Sequence, residues 1–336
     1  MKIVFFEADK LERDYISANF PSKGNTVIFE KKQISVFAAK KYSDAQIISV
    51  FAFSRVGADE LDALPKLKAI CTRSTGFDHI DVAECKRRGI SVHNVPTYGE
   101  ETVAEFTFAL ILSLSRKIVK ANERVRRADY ELKGLRGFDL EGKTLGVIGA
   151  GHIGQNVVRI AHGFGMKVLV HDPFAEKTLA KKLKFEIVGL DKLLSSSDII
   201  SLHAPYNKGT HHIIGMQNIR KVKKGALLIN TSRGPLLETD AVLYGLQNGI
   251  LGGAGLDVIE EEKFMRESCS VLSSSRAANE CSLRNAVIDH VLREREDVIM
   301  TPHCAFDTTD AMLRIVHTTI ENIKAVSKGK KINVVN

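Results

Sequence analysis

The chain has 336 residues, a formal net charge of +8 at pH 7, 44% hydrophobic and 26% charged residues, and a mean hydropathy near zero. This composition suits a globular protein of about two domains and excludes disordered, collagen-like and low-complexity classes. The longest nearly uncharged apolar stretch, residues 106–115, is far short of the ~20 residues that cross a bilayer, and Glu7 and Asp9 argue against a secretory leader, so a cytoplasmic protein is expected.

Near the start, β-rich apolar runs at 2–7, 26–30, 47–51, 67–71 and 91–95 alternate with amphipathic stretches such as 33–40 and 81–88. That rhythm predicts a parallel α/β unit of five strands. It breaks at 101–127, where Val103, Phe106, Leu110, Leu114, Ile118 and Ala121 recur every three or four residues and predict one long helix. A second α/β series follows, with buried-strand runs at 144–149, 167–172, 185–188, 199–203, 226–230, 253–258 and 298–301, and residues 308–327 read as a final helix. The expected domains are 1–100 with 303–336, and 101–302 inserted between them, with two chain crossings as a hinge. Residues 262–296 carry Ser268, Ser270, Ser273, Ser274 and Ser275 but no clear strand, and a loop that long is partly helical or functional.

Lysines and arginines are spread along the chain, with short clusters only at 221–224 and 328–331 and no RNP-type motif or zinc finger, so neither nucleic acid nor membrane is expected as a partner. Cys71, Cys85, Cys269, Cys281 and Cys304 form no CxxC pair, and no metal is expected.

The strongest motif is Gly149-Ala150-Gly151-His152-Ile153-Gly154, a GxGxxG between the strand at 144–148 and a helical pattern at 155–162, with Asp172 ending the next strand 23 residues after Gly149. In that context it predicts a dinucleotide site. Gly149 permits the tight turn, Gly151 admits the pyrophosphate, Gly154 lets the helix pack, and the helix N-terminus supplies amides and a positive dipole end. A carboxylate at Asp172 accepts hydrogen bonds from ribose hydroxyls and repels a 2′-phosphate, so NAD is expected rather than NADP.

Asn230-Thr231-Ser232-Arg233-Gly234-Pro235, Gly255-Leu256-Asp257-Val258 leading to Glu262, and Thr301-Pro302-His303 resemble the D-isomer-specific 2-hydroxyacid dehydrogenases. Weaker matches are the segment from Ser74 to Asp81 and Asn94-Val95-Pro96-Thr97-Tyr98, so the likeness covers roughly residues 45–310. The resemblance implies a Rossmann domain inserted into a split flavodoxin-like substrate domain. It implies Arg233 on the substrate carboxylate and carbonyl oxygen, His303 as proton donor in reduction and acceptor in oxidation, and Glu262 orienting the imidazole. That trio suits the chemistry, because hydride attack builds negative charge on the carbonyl oxygen, which needs a fixed cation and a proton donor. Glu262 ends the acidic run Glu260-Glu261-Glu262, which leaves Glu260 as the alternative.

By the same resemblance, Ser74, Thr75 and Gly76 hold the substrate carboxylate through backbone amides, with Tyr98 adding a hydroxyl and Phe53 and Phe306 forming apolar walls against a small side chain. Ala204 and Pro205 flank the adenine. Thr210, Thr231, Ser232 and Arg233 lie at the cofactor, and Asp257 supports the nicotinamide carboxamide. The long segment after Glu262, Val95-Pro96-Thr97-Tyr98 and His303-Cys304-Ala305-Phe306 resemble the lactate branch of the family. The expected reaction is pyruvate with NADH to D-lactate. Hydroxypyruvate or glyoxylate reduction is the alternative, and an NAD-sensing corepressor is the competing class. A homodimer through the 101–121 helix is expected.

Overall fold

The structure is a computed structural model that describes residues 1–20, 24–260, 287–288 and 290–336. Glu262, the serine run at 268–275, Cys269 and Cys281 lie outside the described residues. The chain divides into two compact units, Met1–Tyr98 with Asp307–Asn336, and Gly99–Phe306. Among the described residues no helix is long and apolar enough to cross a membrane.

The first unit is built on β1 (Lys2–Phe6), β2 (Thr26–Glu30), β3 (Ile47–Val50), β4 (Ala69–Thr72) and β5 (Ser91–His93). The strands are parallel in the order β2-β1-β3-β4-β5, which is the flavodoxin-like arrangement. Side chains alternate between two covered faces. Val4, Phe6, Ile48, Val50 and Ile70 join one core; Ile3, Phe5, Ile47, Ala69 and Cys71 join another, closed by Val316, Ile320 and Ile323 of the helix Thr309–Ser327. Burial on both faces is why these strands read as continuous apolar runs. A pair of charges is carried inside: Arg73, fully buried after β4, pairs through Nε with the buried Glu12 Oε1 at 2.7 Å and donates to Ser49 Oγ and the Phe6 carbonyl.

The second unit holds β6 (Thr144–Ile148), β7 (Lys167–His171), β8 (Glu186–Ile187), β9 (Ile199–Leu202), β10 (Ala226–Asn230), β11 (Leu251–Leu256) and β12 (Val298–Met300). Their order is β12-β11-β10-β9-β6-β7-β8, all parallel, with the connection reversing direction between β6 and β9. This is the expected Rossmann sheet, and ligands of such sheets bind beyond the carboxyl ends at the reversal.

The helix expected over 101–127 is broken. Glu100–Ser115 and Ile118–Arg126 are separate helices, with Lys117 between them in the left-handed region at φ 56°. The Ser115 carbonyl accepts from Phe138 N at 3.0 Å, and Gly137 passes so close that a Cβ there would lie 1.9 Å from that oxygen. The carbonyl that would continue the helix is therefore taken by a segment about twenty residues ahead. Nor does the first helix offer its apolar face outward. Phe108, Leu110, Ile111 and Leu114 are buried in the unit's own core, whereas Ile118, Val119, Val125, Tyr130 and Leu132 are exposed.

Replacing Glu12 by alanine leaves the Arg73 cation buried without its partner, and the expected loss is about 3–5 kcal/mol of stability. Denaturant unfolding measures it; a loss under about 1 kcal/mol would show that Arg73 does not depend on this carboxylate.

Candidate active site

One register row crosses the carboxyl edge of the second sheet. His171 pairs with Ile148, Ile148 with Leu202, Leu202 with Asn230, Asn230 with Leu256, and Leu256 with Met300. Most of the described sequence-predicted residues of this unit follow a member of that row. Asp172 follows β7, Gly149 follows β6, Ala204 and Pro205 follow β9, Thr231 to Arg233 follow β10, Asp257 follows β11, and His303 follows β12. Five strand spacings separate the ends of the row, about 24 Å. The sheet therefore gathers residues far apart in sequence along one edge.

At the β6 end, Gly149 has φ 99°, and a Cβ on it would lie 2.6 Å from Ala204 N. Side chains are thus barred both by conformation and by the neighbouring strand end. A Cβ on Gly154 would lie 2.1 Å from the Gly149 carbonyl oxygen, while one on Gly151 would meet nothing within 4 Å. The helix His152–Gly163 starts at Gly151 with no side-chain cap, so the amides of its first turn, including His152 and Ile153, face that open space. Asp172 braces the loop from the side: Oδ2 accepts from Ala150 N at 2.8 Å and Oδ1 from Phe174 N at 2.8 Å.

His203, between β9 and Ala204, went unremarked in the sequence beyond closing a strand. Its Nε2 pairs with Ser201 Oγ at 2.7 Å, its buried Nδ1 has no hydrogen-bond partner, and burial pushes its pKa down to about 3. The imidazole is therefore neutral. The open space at Gly151, the uncapped helix and this orphaned nitrogen beside the glycine turn together fit a bound dinucleotide. Thr210 folds the loop that follows, donating to the Pro205 carbonyl at 2.7 Å and accepting from Asn207 N.

After β10, Thr231 meets Thr107 of the helix Glu100–Ser115 at 3.0 Å, and since Thr107 spends its proton on the Val103 carbonyl, Thr231 is the donor. Ser232 donates to the Leu202 carbonyl, Asn230 Nδ2 holds the Arg233 carbonyl at 2.9 Å, and Arg233 Nη1 donates to the Ser232 carbonyl at 2.7 Å. Gly234 abuts the next strand's exit so closely that a Cβ would sit 1.9 Å from the Ile259 oxygen. Arg233 is thereby held half-buried beside the end of β11.

Asp257 is 1% exposed and turned toward the residues after β12. Its Oδ1 accepts from Thr301 Oγ1 at 2.6 Å and Cys304 N at 2.9 Å, its Oδ2 from Ala305 N at 3.0 Å, and its carbonyl from His303 N at 2.9 Å. His303 sits at the head of this turn with φ 56°, its ring edge-on to Phe306 at 6.4 Å. Glu260 is engaged elsewhere: Oε2 accepts from Thr239 N and Oγ1 at 2.9 and 2.7 Å, and Oε1 meets His212 Nε2 at 2.6 Å. His212, stacked on His211 at 3.8 Å, is thus part of a brace at the end of the described segment.

In the first unit, Ser74, Thr75 and Gly76 follow Arg73. Ser74 Oγ donates to the Gly76 carbonyl at 2.7 Å and Thr75 Oγ1 to the Val95 carbonyl at 2.8 Å, so the side chains shape the loop from within. Asn94 Nδ2 holds the Thr75 carbonyl, and the Tyr98 carbonyl accepts from Arg314 Nε at 2.6 Å. Phe53 packs edge-on against Phe51 at 5.4 Å. Among the described residues no group of three His, Cys, Asp or Glu is placed to hold a metal ion.

Residues 108–305 match the model of a family described as D-isomer specific 2-hydroxyacid dehydrogenase, NAD binding domain. Over nearly the whole chain, 32% of residues are identical to a D-lactate dehydrogenase of Escherichia coli (strain K12), with 98% of both chains covered. A glyoxylate reductase of Korarchaeum cryptofilum is also 32% identical, over 95% of this chain and 93% of that one. Among solved structures, a D-lactate dehydrogenase from Aquifex aeolicus complexed with NAD and lactic acid superposes with a TM-score of 0.85 at 36% identity, covering 97% of this chain and 96% of that one.

Asp172→Ala removes a carboxylate that would oppose a 2′-phosphate, and the expected result is at least a roughly tenfold fall in the NAD-to-NADP ratio of kcat/KM. An unchanged ratio would leave Asp172 as a brace for the glycine loop alone.

Proposed function

Because the chain belongs to the D-isomer specific 2-hydroxyacid dehydrogenases and is an NAD-dependent oxidoreductase, we propose that it reduces pyruvate to D-lactate in the cytoplasm. The carrying observation is that Arg233, Asp257 and His303 follow, within three residues, the ends of three adjacent strands at Asn230, Leu256 and Met300, which share one register row. When bound, NADH supplies the hydride. The residues do the rest. The Arg233 guanidinium offers a planar fork that pairs with the substrate carboxylate and carbonyl oxygen together and stabilises the charge that grows on that oxygen. His303 delivers the proton to it and takes one back in the reverse direction.

In this reading the amides of Ser74, Thr75 and Gly76 and the Tyr98 hydroxyl bind the carboxylate, and Phe53 and Phe306 limit the side chain. Gly149 to Gly154 and Asp172 hold the pyrophosphate and ribose, and Ala204, Pro205, Thr210, Thr231 and Ser232 line the rest of the cofactor. Glu262 orients the imidazole. The bonds of both Glu260 oxygens to Thr239 and His212 support Glu262 over Glu260 for that role. Asp257 is assigned to hold the turn that carries His303, given its three donors there. The family resemblance to a glyoxylate reductase favours glyoxylate or hydroxypyruvate as the second substrate reading. A homodimer is proposed through the exposed apolar side chains at 118–132, not through the buried face of the preceding helix.

NADH oxidation with pyruvate, hydroxypyruvate, glyoxylate, phenylpyruvate and oxaloacetate, scored by kcat/KM, tests the reading. Pyruvate is expected to lead, with D-lactate as product; a lead for hydroxypyruvate or glyoxylate would refute the substrate while sparing the chemistry. Arg233→Ala should lower kcat/KM by at least ~10²-fold, as loss of one oxyanion partner does. Near-normal kinetics in that variant would sink the assignment.

A further inference from the structure

Glu7 stands outside every role described above. It follows β1 in the left-handed region at φ 60°, which residues bearing a long side chain rarely adopt. Its amide still donates to the Glu30 carbonyl at 2.9 Å, so the ladder to β2 holds the backbone in place. Its carboxylate reaches the turn after β3. Glu7 Oε2 accepts from Phe51 N at 3.1 Å and from Ser54 Oγ at 2.5 Å.

Ser54 is fully buried, accepts from Ile34 N at 3.0 Å through the same oxygen, and closes the turn by donating its amide to the Phe51 carbonyl at 3.1 Å. One carboxylate oxygen therefore ties both ends of the turn 51–54, which belongs to no helix or strand. Only Ala52 and Phe53 project from it, half-buried. The Phe53 ring rests edge-on against Phe51, whose own ring lies 5.7 Å from the Arg73 guanidinium.

We propose that Glu7 is a positioning residue for substrate selection: its carboxylate fixes the turn 51–54 and with it the Phe53 ring that limits the substrate side chain. This rests on the assignment of Phe53 as a substrate wall under the proposed function. Glycine adopts φ 60° freely, so the carboxylate is what that residue could not supply here. Burial raises the Glu7 pKa, while Ser54, Phe51 and Arg73 oppose that rise and Glu12 adds to it. The clamp is thus a polar anchor kept in a partly dry place.

The test compares kcat and KM for pyruvate and for the bulkier 4-methyl-2-oxopentanoate in the wild type and in Phe53→Ala, Glu7→Gly, Ser54→Ala and Glu7→Gln. Phe53→Ala is expected to lower the pyruvate preference roughly tenfold or more, the scale on which apolar pockets discriminate. Glu7→Gly, which relieves the backbone while removing the clamp, and Ser54→Ala, which leaves the backbone alone, should each lower it about fivefold through KM, with kcat within about threefold. Glu7→Gln should stay near wild type, because its amide oxygen accepts both donors. Wild-type preference in Glu7→Gly and Ser54→Ala alongside a changed Phe53→Ala overturns the clamp alone. Wild-type preference in Phe53→Ala as well overturns the wall assignment, and the clamp's role falls with it.

Discussion

The buried carboxylate of Asp257 is the interaction on which the second unit's site depends. Three donors from Thr301, Cys304 and Ala305 converge on it, and its carbonyl takes the His303 amide. A charge this deep is tolerable only when fully hydrogen-bonded, and these bonds are local to one turn. They hold His303 in a left-handed conformation that a histidine does not favour by itself. The backbone that carries the imidazole is therefore fixed from the end of the neighbouring strand.

The same logic of close backbone approach runs along the sheet edge. Gly149 lies against Ala204 and His203, Gly234 against Ile259, and Gly154 against Gly149. A Cβ at any of these would overlap backbone, so each strand end is pinned to the next. The result is a row of mutually braced strand ends, which is what hydride transfer requires of its first contacts: little freedom before the substrate arrives. Asp172 and Glu260 act in the same manner, one bracing the glycine loop and the other anchoring the exit from β11.

Much of this was legible in the residues. Strands buried on both faces write themselves as apolar runs, and the glycine turn needs small residues at fixed offsets, so both appear in a single sequence. The break at Lys117 was not, because it is imposed by Gly137 and Phe138 on the Ser115 carbonyl, a contact no local periodicity contains. The resemblance implied Asp257 at the cofactor; the fold adds that its oxygens accept from the residues after β12, which no motif spacing contains. His203 and Glu7 carried no signal of a role at a site. One is an orphaned nitrogen beside a strand end, the other an acid in a conformation usually left to glycine.

Asp257→Asn puts an amide NH2 where one oxygen now accepts, against the N–H of Ala305 or of Cys304. The most direct test of this account is the steady-state kinetics of that variant, resolved into kcat and the KM for NADH. If the carboxylate holds the turn of His303, kcat falls by roughly 10²-fold, as small misplacements of a reacting group do, and the KM for NADH is little changed. A raised KM for NADH with kcat preserved would contradict it and make Asp257 a contact to the cofactor instead.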